Sequence, residues 1–540
     1  MGILPEFKDI QKIAANGKYN VIPVSCEILS DFITPIEAMR ILKKKSDHVY
    51  MLESAQANEY WGRYTFLGFE PKMDITCMDG VIKITDINGD TKEIKGDPSE
   101  CLRSILTEYK SPKFSYLPTF TGGMVGYFSY DYLGYTEPSV RCNVEDNEGF
   151  MDMDLMLFDK VIAFDNTKQK IILIVNMKLE SAQSSVEDDK DVDANCKKSK
   201  EEIESENCQN VVDKTGNANG ANCNNAIDEA DNVNLANYKK AIDELKELSD
   251  LLHNGEKDSA PAAKLLEPMK PLFEKEQYCQ MVEKAKRHIF EGDIFQIVLS
   301  NRFSAPFEGS LFETYRALRT INPSPYMFYF SGTEMEVAGA SPETLVKLEN
   351  GVLHTFPLAG TRPRGATEEE DKRLEKELLA DEKELAEHNM LVDLGRNDLG
   401  KISKFGSVQV EKLHSIERYS HVMHIGSTVR GEIRDDKDAL DAISSVLPAG
   451  TLSGAPKIRA CQIIGELENN KRGIYGGAIG YIDFTGNMDT CIAIRIVYKK
   501  NGKVFVRSGA GIVADSVPEK EFEECMNKAR AAMKALDGEE

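Results

Sequence analysis

Four glutamates stand in two E-x-x-E pairs, Glu384/Glu387 and Glu521/Glu524, each inside a stretch with helical spacing. Residues three apart share a helix face, so each pair presents two carboxylates together. Two such pairs supply the hard oxygen ligands that Mg²⁺ takes, one or two carboxylates alongside substrate and water. In the helix read from EEEDKRLEKELLADEKELAEHNMLVDLGRNDL, Glu387 points between Met390, Leu391 and Leu394, which form the apolar stripe. A carboxylate there costs several kcal/mol unless a cation compensates it. Lys383 at i−4 offers such a cation, in the weaker charge order. In DSVPEKEFEECMNKARAAMKAL, Ser516 and Glu519 have the spacing of a capping box and Pro518 sits in the first turn. Phe522, Cys525, Met526, Ala529, Met533 and Leu536 form its core stripe, with Glu521 and Glu524 beside it, where a solvated acidic face is the plainer reading.

Other groups suit an anion. Along the strand DTCIAIRIVYKK, Arg495 shares a face with Cys491 and Ala493, small neighbours that leave a guanidinium room to grip a carboxylate. An exposed sheet face is the alternative. SGAG (508–511) and SGAPK (453–457) are Gly-rich backbone that either cradles oxyanions or simply turns. Two nucleotide motifs fail: GRNDLGK (395–401) has Ile402 where a P-loop needs Ser or Thr, and only one helix follows GAGIVA (509–514). The residues alone point to a small, multiply anionic substrate, a magnesium ion and acid–base carboxylates.

The elements that must position these groups lie in the last part of a 540-residue chain, too long for one compact core. A net charge of −23 excludes a nucleic-acid partner and leaves any anionic substrate dependent on local cations or a metal. Eleven cysteines without a C-x-x-C pair fit a reduced cytoplasmic setting, and neither a signal peptide nor a membrane span is expected. Strand-like stretches such as VIKITDI and KIILIVNMKL fill residues 1–177, an N-terminal domain. Residues 178–235 are acidic, Asn-rich and almost free of aromatics, and read as a solvated insertion or linker. A helix over 238–252 then opens a C-terminal domain, 236–540.

PLAGTRPRG (357–365), ASPET (340–344), DEKELAEHNMLVDLGRNDLG (381–400), RYSHVMH (418–424), PAGTLSGAPK (448–457), GIYGGAIGY (473–481) and SGAGIVADSVPEKEFEECMNKA (508–529) occur together. In that series the chain resembles the chorismate-utilising enzymes, and among them the anthranilate synthase large subunits. The resemblance covers about residues 20–175 and 270–530 and implies an α+β fold, a layered sandwich with large antiparallel sheets and two intertwined domains. It implies Mg²⁺ on Glu387 and Glu524, with Glu384 and Glu521 reaching the ion through water. It also implies chorismate contacts at Gly360, Thr361, Thr451, Tyr475, Arg495, Gly509, Ala510 and Gly511, with Glu343 as general acid and His424 in the aromatising elimination.

Within that family, aminodeoxychorismate synthases carry a nucleophilic Lys where this chain has Ala359. Isochorismate-forming members use a Lys where it has Gln296, which lacks a basic lone pair. Direct attack by ammonia remains. Without the Gly-rich Cys setting of a glutaminase, ammonia should come from a separate glutamine amidotransferase subunit. MLESA (51–55) and NPSPYMF (322–328) read as a strand end and a Pro-rich stop. In the resembled family they converge on a feedback site for L-tryptophan, with Glu53 and Ser54 at the polar end and Pro325, Tyr326 and Met327 around the indole. The competing readings are another chorismate enzyme and a non-catalytic tryptophan sensor of the same fold.

Overall fold

Two antiparallel sheets, of 14 and 12 strands, organise the computed structural model, which describes residues 2–55, 62–140, 144–180, 219–259, 263–419 and 422–537. The larger runs through Val21–Leu29, Lys170–Lys178, Lys160–Asp165, Tyr64–Phe69 and Val49–Glu53, then Tyr326–Ser331, Glu336–Ser341, Ile496–Lys500, Lys503–Ile512 and Gln296–Glu308. The smaller runs through Leu358–Pro363, Val422–Glu432, Val352–Thr355, Thr344–Glu349, Met488–Ile492 and Ala478–Asp483, then Gly123–Phe128, Met153–Phe158, Met73–Met78, Val81–Asp86 and Thr91–Lys95. Segments 1–177 and 236–540 therefore share both sheets. The seams are Val49–Glu53 against Tyr326–Ser331, and Gly123–Phe128 against Ala478–Asp483. Gly126 and Gly480 are partners across the second seam; an added Cβ would lie 2.1 Å from Asp154 O on the strand flanking Gly126 and 2.0 Å from Asp489 O on the strand flanking Gly480. Only glycine lets these strands lie so close.

Strand alternation turns one face of each sheet toward the other. Tyr50, Phe66, Phe328 and Tyr498 from the larger sheet pack with Tyr127, Phe158 and Tyr481 from the smaller in a single buried cluster. Helices cover the outer faces, so the layers are helix, sheet, sheet, helix, and the α+β sandwich follows.

The helix Asn219–Asn254 runs through the boundary drawn at 235. Its residues Ala241, Leu245, Leu248 and Leu252 are buried in the core against the larger sheet. Asn234, polar enough to read as linker, is fully buried; its Nδ2 donates to Glu180 O and its Oδ1 accepts from Glu180 N, each at 2.9 Å. Composition alone hides this, because one amide satisfying two backbone groups looks the same in sequence as a solvated one. The rest of the expected insertion, 181–218, lies outside the described residues.

Leu245→Ala should cost ~2–5 kcal/mol through the cavity it leaves, while Lys240→Ala on the exposed face should stay within about 0.5 kcal/mol. Thermal unfolding midpoints of the two variants check this; equal midpoints would mean that the helix contributes no core.

Candidate active site

Two chain segments change sheets side by side. Pro342 and Glu343 join Glu336–Ser341 of the larger sheet to Thr344–Glu349 of the smaller, and Ala493–Arg495 join Met488–Ile492 of the smaller to Ile496–Lys500 of the larger. Hydrogen bonds tie the two steps together: Ser341 Oγ to Ile492 O at 2.7 Å, Ile492 N to Glu343 O at 3.0 Å, and Ala340 N to Arg495 O at 3.2 Å. The single strand expected over DTCIAIRIVYKK is thus two strands in different sheets, and Arg495 lies at the step rather than on a sheet face. Its backbone is left-handed, φ 52°. Gly476 and Gly477 take up the backbone of Ala493, and Ile494 N turns back onto Ile492 O at 2.8 Å. Alternating small and branched residues give the same pattern in one long strand as in two short ones.

A cavity of about 610 Å³ opens at this step. Glu343, Thr451, Tyr475 and Arg495 line it from the crossing side, Gly509 and Gly511 from the strand Lys503–Ile512, and Gly360, Thr361 and His424 from the edge of the smaller sheet. Ala510 alone among the expected contacts turns away, its methyl fully buried among helices. A Cβ on Gly509 would lie 2.5 Å from Leu299 O, so the wall there is bare backbone. Leu358–Pro363 is an edge strand rather than a loop, with a register shift between Ala359 and Thr361 and Gly360 at φ 72°. Arg362, and Arg364 just past the strand, are anchors: Arg362 pairs with Asp381 at 2.7 Å, and Arg364 Nε donates to Asp371 Oδ2 at 2.9 Å.

The long acidic helix is also two, Glu368–Leu379 and Glu382–Gly400, because Asp381 caps the second by accepting from the N–H groups of Lys383 and Glu384. Glu384 and Glu387 line the cavity from its first turns, opposite Glu521 and Glu524 from the helix Pro518–Asp537. Ser516 does not form the expected capping box; its Oγ accepts from Val513 N at 3.1 Å, and its hydroxyl bonds the Glu521 carboxylate. Burial, then the charge of Glu384, raises the pKa of Glu387, whose Oε1 accepts only a 3.5 Å bond from Gln296. Glu524 pairs instead with Lys528 at 2.7 Å.

Among the described residues, the one group of three potential ligands with donor atoms all within 4.8 Å is His288, Glu291 and Asp293, where Asp293 is already held by His288 and Arg459. The four glutamates stand further apart. Their shared cavity, all-oxygen donors and a Glu387 carboxylate without an ion pair nonetheless fit a hard cation.

Glu343 accepts a hydrogen bond from Thr451 Oγ1 at 3.0 Å, and burial pushes its pKa up to about 7 against the pull of that bond and of Arg495. His424 Nδ1 faces Gly360 O at 3.1 Å and Thr361 Oγ1 at 3.0 Å. A carbonyl only accepts, so Nδ1 carries the hydrogen, and Nε2 keeps the basic lone pair. Burial lowers the pKa of His424, keeping it neutral.

The model for chorismate binding enzymes matches residues 48–534. Relatives called anthranilate synthase component 1 are 44% identical in Acetivibrio thermocellus, over 98% of each chain, and 42% identical in Aquifex aeolicus, over 99% of this chain and 98% of the other. The solved anthranilate synthase component I of Streptococcus pneumoniae superposes with a TM-score of 0.67 at 35% identity, covering 94% of this chain and 98% of that one. The chain belongs to the chorismate-binding enzymes. A menaquinone-specific isochorismate synthase of Escherichia coli shares the fold, with a TM-score of 0.64 at 16% identity and 98% of both chains covered.

Across the larger sheet's seam lies a second cavity, of about 270 Å³, lined by Glu53, Ser54, Pro325, Tyr326 and Met327. Met327 is the register partner of Glu53, and Ala55 N donates to Ser324 O at 3.1 Å, so pairing brings MLESA and NPSPYMF together. Glu53 is held by the Tyr315 hydroxyl and by Arg319 Nη2 at 3.3 Å. The sequence reading named Lys383 but missed three other cations of this family member's first cavity: Lys520, Lys528 and Arg507. Lys528, four residues after Glu524, was legible as an i,i+4 partner; Arg507, next to SGAG, carried no such signal.

A reaction that takes its proton from Glu343 should lose kcat/KM as pH rises through about 7. Thr451→Val removes a donor that favours the charged carboxylate, so the pKa rises and the alkaline limb should move to higher pH. A pH–rate profile with an unmoved limb would separate Glu343 from the proton transfer.

Proposed function

We infer that this chain is the chorismate-binding subunit of an anthranilate synthase, converting chorismate and ammonia to anthranilate and pyruvate in tryptophan biosynthesis. One observation carries the choice within the family. Ala359 and Gln296 line the cavity at the positions where the resembled aminodeoxychorismate and isochorismate synthases keep their working lysines. Neither a covalent nucleophile nor a water-activating amine stands there, and ammonia attacks directly.

Arg495 and the Gly509–Gly511 backbone hold the enolpyruvyl carboxylate, with Gly360, Thr361 and Tyr475 around the ring. Ammonia adds at C2 as the ring double bonds shift and the C4 hydroxyl leaves as water, taking the proton that burial keeps on Glu343. In the second step the C2 proton is removed, the C3–oxygen bond breaks, and the departing enolpyruvate takes up a proton at its methylene carbon, giving pyruvate and the aromatic amine; the free Nε2 of His424 suits this proton transfer. Glu387 and Glu524 would hold Mg²⁺, with Glu384 and Glu521 reaching it through water. When bound, the ion supplies charge neutralisation for the ring carboxylate.

Ammonia comes from glutamine through a separate amidotransferase subunit, component II. A cytoplasmic setting fits the seven free thiols among the described side chains and the lack, among described residues, of any helix long and apolar enough to cross a membrane. With Mg²⁺, chorismate and ammonium salts the purified chain should form anthranilate and equimolar pyruvate, and with glutamine alone it should form none. Glu343→Gln should lose roughly 10²–10⁴-fold in kcat with KM largely kept. Isochorismate or an aminodeoxychorismate as the final product would refute the assignment.

L-Tryptophan is the ligand proposed for the second cavity, its ammonium and carboxylate near Glu53 and Ser54 and its indole against Pro325, Tyr326 and Met327. The contacts supporting a feedback role run from this wall to the first cavity. Tyr326 OH bonds Thr344 Oγ1 at 2.9 Å, next to Glu343, and Arg495 Nη1 donates to Asn322 Oδ1 at 3.1 Å. Ser54→Phe should leave ammonia-dependent turnover largely intact and raise the tryptophan needed for half-inhibition at least tenfold. An unchanged inhibition curve would place the regulatory site elsewhere.

A further inference from the structure

Behind the wall of the first cavity lies a buried triad, Arg472–Glu468–Arg507, each member at most 2% exposed. Glu468 Oε2 accepts from Arg472 Nε at 2.9 Å and Arg507 Nη2 at 2.7 Å, and Oε1 accepts from Ser300 N at 2.7 Å. Arg472 also donates to Leu452 O and Val298 O, each at 2.7 Å, and Arg507 donates to Ser300 Oγ and Asn470 Oδ1, each at 2.8 Å. The triad ties Val298, Leu452 and the strand leading into Gly509, all parts of the cavity wall.

The Arg472–Glu468 pair alone would already hold Val298 and Leu452, and Arg507 adds the tie to its own strand together with a further positive charge. Two guanidiniums against one carboxylate leave a net +1, in a chain whose net charge is −23. Arg507 lines the substrate cavity, whereas Arg472 lines a separate cavity of about 590 Å³ on the other side. Of the other charges nearby, Asp131 and the Lys471–Asp152 pair at 2.8 Å line that other cavity, away from the substrate, and Arg302 adds a further positive charge. A charge held in a low-dielectric wall is little screened by salt.

We propose that Arg507 is a specificity-determining cation, its uncompensated charge strengthening binding of the dianionic substrate without changing the chemical step. This rests on the chorismate reading, so turnover of chorismate by the unmodified chain is the control that keeps a failure of that reading separate. Arg507→Gln removes the charge and keeps a donor for Glu468; Arg507→Lys keeps the charge and loses the fork. The expected result is KM for chorismate up about tenfold in Arg507→Gln, equivalent to ~1.4 kcal/mol. KM for ammonia and kcat should stay within about twofold, and Arg507→Lys should restore the chorismate KM even where its thermal midpoint falls as far. A merely structural residue would raise both KM values together, or give the two variants equal chorismate KM; either result overturns the proposal, as does an unchanged KM. Should Arg507→Gln fail to fold, Arg507→Met supplies the neutral comparison.

Discussion

Two strands leave one sheet and join the other side by side, and the active cavity depends on the hydrogen bonds that hold those steps together. Within a sheet, every backbone donor and acceptor is taken by a neighbour. At a step between sheets the chain has fewer partners of its own kind. Here the two steps satisfy one another through Ser341, Ile492, Glu343 and Arg495. The geometry sets an acid and a cation at the rim of one space without either competing for a place on a pleated face. It also explains why glycines crowd the site: strands converge there, and a side chain at Gly509 would collide with Leu299.

Much of this was legible where a periodicity spoke for itself. The stripe Cys525, Ala529, Leu536 is buried, and the helix over 238–252 is present within a longer one. The expected chorismate contacts share one cavity apart from Ala510, whose part was always confined to its backbone. What stayed hidden has physical causes. The place where the chain changes sheets leaves no mark in an alternation that both strands continue. The helix break at Asp381 is written in a residue that is equally at home on an acidic helix surface, since capping and solvation call for the same side chain. Asn234 and Ser516 were misread for a related reason: a short polar side chain has several backbone groups within reach, and tertiary contacts choose among them.

Charge governs the rest. The substrate is an anion, the cavity carries the four glutamates of the E-x-x-E pairs, and the whole chain is acidic, so the positive groups near the site matter. Lys528 is paired with Glu524 and also donates to Gly509 O at 3.2 Å, while Arg362 is committed to Asp381 and Glu384 at 3.4 Å. Glu387 forms no ion pair, and burial followed by the charge of Glu384 raises its affinity for a proton against the weaker pull of Lys383. A divalent ion held by Glu387 and Glu524 would offset that negative charge and would favour a substrate carboxylate in a region otherwise repelling it. A cation held there would let an acidic site accept an acidic substrate.

The segment 322–327 meets both cavities, and this bears on how an effector could act. Its outer residues wall the smaller cavity, Asn322 bonds the cation of the larger one, and Tyr326 reaches both Thr344 and, at 2.8 Å, Asp489 Oδ1. The pairing of Met327 with Glu53 pins the segment in register, so it cannot slide by small amounts without breaking whole ladder bonds. A packed element of this kind responds by switching between discrete arrangements. An effector bound there gains leverage only to the extent that it prefers one arrangement, with a coupling of about 1–3 kcal/mol typical of such pairs of sites, and substrate must oppose it by the same factor. Arg495 is where the two demands meet, because its guanidinium lines one cavity and donates to Asn322, in the segment whose later residues wall the other.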